Sequence, residues 1–229
     1  MKQKKKKDQK LSELLKERSL LKQDVYETSK QLFSELKQLI SEELVKLGKE
    51  IKDERVRLKF EDKGDFEAYA YVGSDVLVFN MHTNVFAFPD EHAVRKTSYV
   101  AEDVSRAYCG VFNIYNFLAD SFLQGRMNDQ GYLLGRVFVN KEQHFMVEGR
   151  GDLGFMFKDF IHGELDKANL RKIIQLAIRQ AAEFDLLTPP YDVVHLVSVM
   201  QIQALSSSLQ MKTAKRLGFK FEADQNKII

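Results

Sequence analysis

The chain has 229 residues, of which 44% are hydrophobic and 30% are charged, and its formal net charge is +2. Its 17 Phe and 8 Tyr supply apolar volume for a substantial core, while the single cysteine, Cys109, excludes an intramolecular disulfide. No apolar run reaches the roughly 18 residues of a membrane helix, and no signal-peptide segment follows the first lysines. We therefore expect a cytoplasmic protein with one large domain and an extension.

Lysine dominates the first ten residues, where six lysines stand beside one aspartate. Residues 1–53 hold 14 Lys and Arg against 10 Asp and Glu, whereas the rest of the chain holds 21 against 23. No aromatic or arginine side chain accompanies these lysines to stack on bases or to bind phosphate bidentately. We interpret residues 1–10 as a disordered, solvated tail, and we expect nucleic-acid association only through its lysines.

A helical pattern without Gly or Pro before Gly48 predicts one long amphipathic helix over residues 11–53. In its second half, apolar residues recur every 3.6 positions from Phe33 to Ile51. This is the period of a straight helix that lies on a surface. We expect residues 30–52 to pack on the body of the protein.

The first half of this helix has a different period. Its apolar residues follow a period of 3.5 positions, at Leu11, Leu14, Leu21 and Val25, with Arg18 interrupting the stripe. That spacing is typical of a left-handed coiled coil. We expect residues 10–28 to project and to pair with another helix, in a homodimer or with a partner protein. The alternative is a frayed helix end without a partner.

The body, residues 54–229, is predicted to start with antiparallel strands. Arg55 to Phe60 alternates polar and apolar residues, and Gly73-Ser74 suits a two-residue hairpin turn between Asp65 and Met81. That register gives a core-facing set of Phe66, Ala68, Ala70, Val72, Leu77, Phe79 and Met81. The opposite face holds Tyr69, Tyr71, Val76 and Val78, and we expect a helix to cover it.

Further strands are predicted at Val85 to Phe88 and at Tyr108 to Phe117, with helix as an alternative from Phe117 to Arg126. The polar residues 90–105 give no clear pattern.

A second hairpin is predicted from Gly131 to Val139 and from His144 to Glu148. A loop of two or four residues would place His144 and Glu148 on one face, with Gly135 opposite Glu148.

The C-terminal third changes to helical periodicity. One stripe consists of Leu170, Ile173, Ile174, Ala177, Ala181 and Phe184. A buried strand is predicted from Val193 to Val199, followed by a helix to Leu217 with Gly218 after its last residue. We predict an α+β fold, with a mostly antiparallel sheet flanked by helices. This arrangement resembles PAS- or GAF-like sensory domains.

One glycine motif could carry chemistry. Gly149 to Gly154 matches G-x-G-x-x-G directly after a strand, where backbone amides can cradle a phosphate. Because that strand belongs to a hairpin, a tight turn or bulge is the simpler interpretation. The candidate ligand-binding residues are Gly135, His144, Glu148, Gly149, Arg150, Gly151 and Gly154. The five histidines lack metal-ligand spacing, so we assign no metal site, no cofactor and no catalytic residue.

The stretch from Val193 to Phe221, a strand and then a helix that ends in Leu217-Gly218-Phe219, resembles the end of GNAT-type acyl-CoA N-acyltransferases. In those enzymes a [Gln/Arg]-x-x-Gly-x-[Gly/Ala] loop holds the cofactor pyrophosphate. Met146 to Gly151 has the glycines of that loop, but Met146 replaces its first residue. The resemblance implies acyl-CoA binding at this loop.

These patterns predict a non-enzymatic, oligomeric sensor or protein-interaction module that assembles through its N-terminal helix. The alternative is an enzyme that binds a phosphate-bearing cofactor, such as an acyl-CoA-dependent N-acyltransferase.

Overall fold

The structure, a computed structural model, describes residues 10–185 and 190–200. Its α-helices are α1 Leu11–Ile51, α2 Ser98–Glu102, α3 Ala119–Leu123, α4 Gly151–Met156, α5 Lys167–Ala182 and α6 Tyr191–Val194. Its strands are β1 Leu58–Asp62, β2 Glu67–Val72, β3 Asp75–Met81, β4 Phe86–Ala87, β5 Tyr108–Leu118, β6 Tyr132–Asn140 and β7 Phe145–Gly149. Two 3-10 turns, Ala93–Lys96 and Val104–Ala107, flank α2.

The strands form one antiparallel sheet in the order β1-β2-β3-β5-β6-β7, and β4 pairs with β5 outside this path. The main core lies between one face of the sheet and the helices α1 and α5. The predicted α+β class, with its antiparallel sheet and long N-terminal helix, is confirmed. No helix among the described residues has the length and apolar character needed to cross a membrane.

Helix α1 is a single helix of 41 residues, roughly 60 Å long. It ends at Lys52, whose left-handed φ of 49° stops the helical ladder. Its core-facing residues are Val25, Ser29, Leu32, Phe33, Leu36, Leu39, Ile40, Glu43 and Leu44. Full burial against the body therefore begins at Val25, earlier than predicted, and Arg18 already contacts Tyr108. Ile51 at the far end is exposed.

Helices α1 and α5 are joined by a buried carboxylate. The Glu43 side chain is 3% exposed, and it accepts hydrogen bonds from Arg171 and, at 3.0 Å, from Gln175. Burial by itself would raise the pKa of this carboxyl. The hydrogen bonds from Gln175 and Arg171 outweigh burial, so the pKa lies below its ordinary value of 4.5.

Glu43→Gln is expected to lower the free energy of unfolding at pH 7 by about 1–2 kcal/mol, because hydrogen bonds to a charged acceptor are lost. A lowered folded-state pKa stabilises the fold above pH 4.5, and this contribution is lost as pH falls below it. The gap between wild type and variant should therefore narrow in acid, as measured by urea unfolding. Glu42→Gln is the control: Glu42 bonds the same Arg171 at 2.9 Å, but its side chain is 45% exposed. An equal loss in both variants would contradict the role of burial.

The first hairpin has the predicted register. Ala70 pairs with Leu77 and Tyr71 with Val76, around a turn in which Gly73 has a φ of +60°. The tyrosine face is covered by the short helix α3, whose Phe122 ring lies 5.1 Å from that of Tyr69. The prediction of a helix over this face is confirmed.

The second hairpin has a different register from the one predicted. Its loop has three residues: the Asn140 amide donates to the His144 carbonyl at 3.0 Å, and Gln143 is left-handed with a φ of 63°. An odd loop length reverses the face of every β7 residue. Glu148 therefore pairs with Arg136, and the predicted position opposite Gly135 is wrong.

Two other segments differ from the predictions. Strand β1 begins at Leu58, three residues after the predicted start. The residues 90–105, which show no clear pattern in the sequence, form α2 and its flanking turns. The α5 stripe is buried from Leu170 to Ala181, as predicted. The strand predicted from Val193 to Val199 is wrong, because α6 covers Val193 and Val194 and the side chains of Leu196, Val197 and Val199 are exposed. The helix predicted to reach Leu217 lies outside the described residues.

Candidate functional site

The glycine-rich segment after β7 is closed by its own side chains. A methyl group on Gly135 would lie 2.6 Å from Leu153 Cδ2, and one on Gly154 would lie 2.0 Å from the Gly149 carbonyl oxygen. The glycines thus let α4 pack directly against β6 and β7. The buried Leu153 side chain fills the space beside Gly135 and Gly149.

The candidate ligand-binding residues predicted from the sequence do not form one cluster. Gly151 lines a small cavity of about 190 Å³ together with Asp152, Arg179, Gln180 and Glu183. Two carboxylates beside one arginine are a poor match for a pyrophosphate group. The Arg150 amide donates to the Leu134 carbonyl at 3.3 Å, in continuation of the β6–β7 pairing.

His144 belongs to a separate aromatic cluster. Its ring stacks on Tyr99 with the ring centres 4.5 Å apart, and its Nδ1 lies 3.3 Å from the Phe160 carbonyl oxygen. Burial raises the pKa of the Tyr99 phenol to about 12, so this hydroxyl stays protonated at neutral pH. His144 therefore has a packing role in this fold, away from Glu148.

An open groove, the sheet groove, lies on the face of the sheet opposite α1. Strand β5 separates the two sides, since Phe112 faces α1 whereas Val111 and Asn113 line the groove. The groove has a volume of about 510 Å³, which suits a small organic ligand. Its lining consists of His82, Phe86, Ala87, Phe88, Pro89, His92, Cys109, Val111, Asn113, Tyr115, Leu133, Arg136, Phe138, Met146 and Glu148.

Aromatic rings form one wall of the sheet groove. The Phe88 ring stacks on His92 at 4.5 Å between centres and contacts Phe138 at 5.1 Å. The His82 ring meets the edge of Phe86 at 4.7 Å. The segment around β4 therefore presents a row of rings against the strands β5 and β6.

An ion pair crosses the groove floor from β6 to β7. Arg136 Nε donates to Glu148 Oε2 at 3.0 Å, and Arg136 Nη2 donates to the same oxygen. The two side chains are 43% and 57% exposed, so solvent and ligands can reach both. Asn113 on β5 pairs with Arg136 on β6. The Asn113 side chain makes no hydrogen bond within the described part of the chain.

Both histidines of the groove have a fixed tautomer. His82 Nδ1 accepts the Asn84 amide at 3.0 Å, and His92 Nδ1 accepts the Val94 amide at 3.3 Å. A neutral imidazole whose Nδ1 accepts a hydrogen bond carries its proton on Nε2. Among the described residues, neither of these Nε2–H donors makes a hydrogen bond.

A second groove, the helix groove, runs along the start of α1. It has a volume of about 790 Å³, and α1 contributes Leu14, Leu20 and Leu21 while the facing segment contributes Val104 and Tyr108. The Tyr108 hydroxyl accepts a hydrogen bond from Arg18, which fixes the helix beside this segment.

Neither a reactive thiolate nor a metal-binding cluster is found among the described residues. Cys109 is 1% exposed, and burial raises the pKa of its thiol far above the usual range, so the thiolate is not available at neutral pH. Among residues 10–185 and 190–200, no group of three or more His, Cys, Asp or Glu side chains is placed to hold a metal ion.

No protein-family model, no curated protein and no solved structure gives a significant match to this chain. Of the candidate ligand-binding residues predicted from the sequence, Glu148 alone lines the sheet groove. The sequence did not predict the aromatic wall of this groove. The only sequence signal for it was the two-sided character of β5, whose apolar residues occupy both faces of the strand.

Proposed function

We propose that this protein is a non-enzymatic, oligomeric sensor module whose subunits assemble through the first half of α1. The change of exposure along this helix carries the proposal. Leu11, Leu14, Leu15 and Leu20 are 80%, 39%, 65% and 53% exposed, whereas Val25 is fully buried in its own chain. A run of exposed leucines on a well-formed helix marks an interaction surface.

A second copy of this chain is the occupant that we propose for this surface. In an antiparallel pair with a two-fold axis between Glu17 and Arg18, Leu14 meets Leu21, and Glu13 meets Lys22. Such self-complementarity is what an isologous dimer requires. The helix groove adds Val104 as further apolar surface for the partner helix.

The sensor part of the proposal rests on the position of β5 between α1 and the sheet groove. On the α1 side, Phe112 contacts Phe33 with ring centres 5.4 Å apart. On the other side, Val111 and Asn113 face the groove. A ligand would therefore lie one strand away from the assembly helix. We favour the sensor over the phosphate-cofactor alternative, because Asp152 and Glu183 stand beside Arg179 in the cavity at Gly151.

Size-exclusion chromatography with light scattering tests the assembly. The full chain is expected to have twice its monomer mass of 26.5 kDa, and Leu14→Lys is expected to weaken the dimer by at least about tenfold, because a charge enters an apolar interface. Val45→Lys is the matched control, since Val45 is 56% exposed on the same helix but outside the paired segment. A point variant is preferable to truncation, which would remove the buried Val25.

A charge exchange sharpens this test. Glu13→Lys and Lys22→Glu should each weaken the dimer, and the double variant should restore it, since the two charges meet across the two-fold axis. A monomeric full chain at high concentration would overturn the assembly proposal.

A further inference from the structure

We infer that the sheet groove binds a small organic carboxylate with an aromatic body. The inference names the ligand of the proposed sensor, so it rests on the sensor part of that function, but it does not require the α1 dimer. It stands on the groove's rings, its unused hydrogen-bond donors and the geometry of the Arg136–Glu148 pair.

The apolar part of the groove favours an aromatic ligand. Phe86 is 42% exposed beside its His82 contact, so a ring face or edge remains open to an added ring. Phe138 and Met146 pair across β6 and β7 and supply a ring and a polarisable thioether on the same surface.

The polar part has more open donors than open acceptors. Nδ1 of His82 and of His92 accepts a backbone amide, and neither Nε2–H group makes a hydrogen bond within the described part of the chain. Arg136 bonds Glu148 through Nε and Nη2, so its Nη1 is not engaged in this pair. The Asn113 amide adds a further donor next to Arg136. A carboxylate has two oxygens with about four acceptor sites, which matches this set of donors.

Glu148 decides the sign of the charge preference. The Glu148 carboxylate already neutralises the charge of Arg136. Both hydrogen bonds from Arg136 to Glu148 end on one oxygen, Oε2. A ligand carboxylate would therefore compete with Glu148 for the guanidinium while using the imidazole donors that Glu148 does not engage. Removal of the Glu148 charge should thus favour the ligand, whereas removal of the Arg136 charge should disfavour it.

Isothermal titration of the full chain with three matched probes tests this inference. The probes are 3-phenylpropionate, 3-phenylpropan-1-ol and 3-phenylpropylamine. They share a phenyl ring and a short alkyl chain, and their terminal groups are negative, neutral and positive. The carboxylate should bind at least about tenfold more tightly than the alcohol, the factor that one charge-assisted hydrogen bond supplies. The amine should bind no better than the alcohol.

Three variants make the test specific. Arg136→Gln should abolish the preference for the carboxylate over the alcohol, and Glu148→Gln should strengthen carboxylate binding several-fold. Arg55→Gln is the control, because Arg55 is also paired with an acid, Asp53, but lies outside the groove. Circular dichroism checks that each variant is folded. We expect the Arg136 and Glu148 variants to fold, because both side chains are partly exposed.

The inference is overturned if the alcohol or the amine binds as tightly as the carboxylate, if Glu148→Gln weakens carboxylate binding, or if no probe binds at millimolar concentration. Leu14→Lys separates this site from the dimer: the variant with the weakened dimer should keep the carboxylate preference. Loss of binding in that variant would contradict the independence of the groove from assembly.

Discussion

Gly110→Ala is expected to lower the free energy of unfolding by about 3 kcal/mol, because a side chain does not fit between β5 and α1. The new methyl group would lie 2.0 Å from Ser29 Oγ and 2.8 Å from Ser29 Cβ. Ser29 is buried, and its hydroxyl donates to the Val25 carbonyl at 2.6 Å. The clash therefore falls in the buried contact between the helix and the sheet, and neither backbone can move away without separating the two elements.

A second substitution distinguishes this clash from a general loss of packing. Ser29→Gly alone should cost about 1 kcal/mol, since glycine is a poor helix former. In the Gly110→Ala background the same change should instead raise stability, because it removes both clashing atoms. Urea unfolding followed by circular dichroism measures all four proteins of the cycle. Equal effects of Ser29→Gly in both backgrounds would show that the two residues are not in contact.

Gly154→Ala should also cost about 3 kcal/mol, for a reason that bears on function. Its new methyl group would lie 2.0 Å from the Gly149 carbonyl oxygen and 2.6 Å from the carbonyl carbon. Both are backbone atoms, so no rotamer change relieves the contact. Thermal and urea unfolding measure the loss, with no ligand added.

Gly151→Ala is the matched control within the same motif. The nearest atom to its new methyl group would be Gln180 Nε2 at 4.0 Å, although its φ of +56° is left-handed and should cost about 1 kcal/mol. If Gly154→Ala left stability unchanged, α4 would not be packed on β7 as described, and the loop would again be a candidate for phosphate binding.

The turns decided which hairpin could be predicted from the sequence. Gly73 marks a two-residue turn because glycine adopts a positive φ at no steric cost, and the register of β2 and β3 follows from it. The second turn depends on Gln143 in a left-handed conformation, which few residues other than glycine, asparagine and aspartate adopt. Nothing in residues 140–143 signals a three-residue loop, so the face of Glu148 was predicted incorrectly.

Two further features could not be predicted, for different reasons. A short apolar run such as Val193 to Val199 satisfies the pattern of a buried strand and that of a helix, and periodicity cannot separate them over seven residues. The sheet groove combines residues from four strands, β4 to β7, with His82 just after β3 and the loop segment that follows β4. These segments lie far apart in sequence. The apolar residues on both faces of β5 indicate that each face contacts other groups. They do not indicate that the face away from α1 remains open beside a row of aromatic rings.

The Glu43–Arg171 contact has a consequence for the order of events during synthesis. The two residues are 128 positions apart, so α1 leaves the ribosome long before α5 exists. At translation rates of roughly 5–20 residues per second, the apolar stripe of α1 waits on the order of ten seconds for its cover. Over that interval the side of the helix that α5 will cover stays exposed, available to chaperones or to a neighbouring copy on the same messenger RNA.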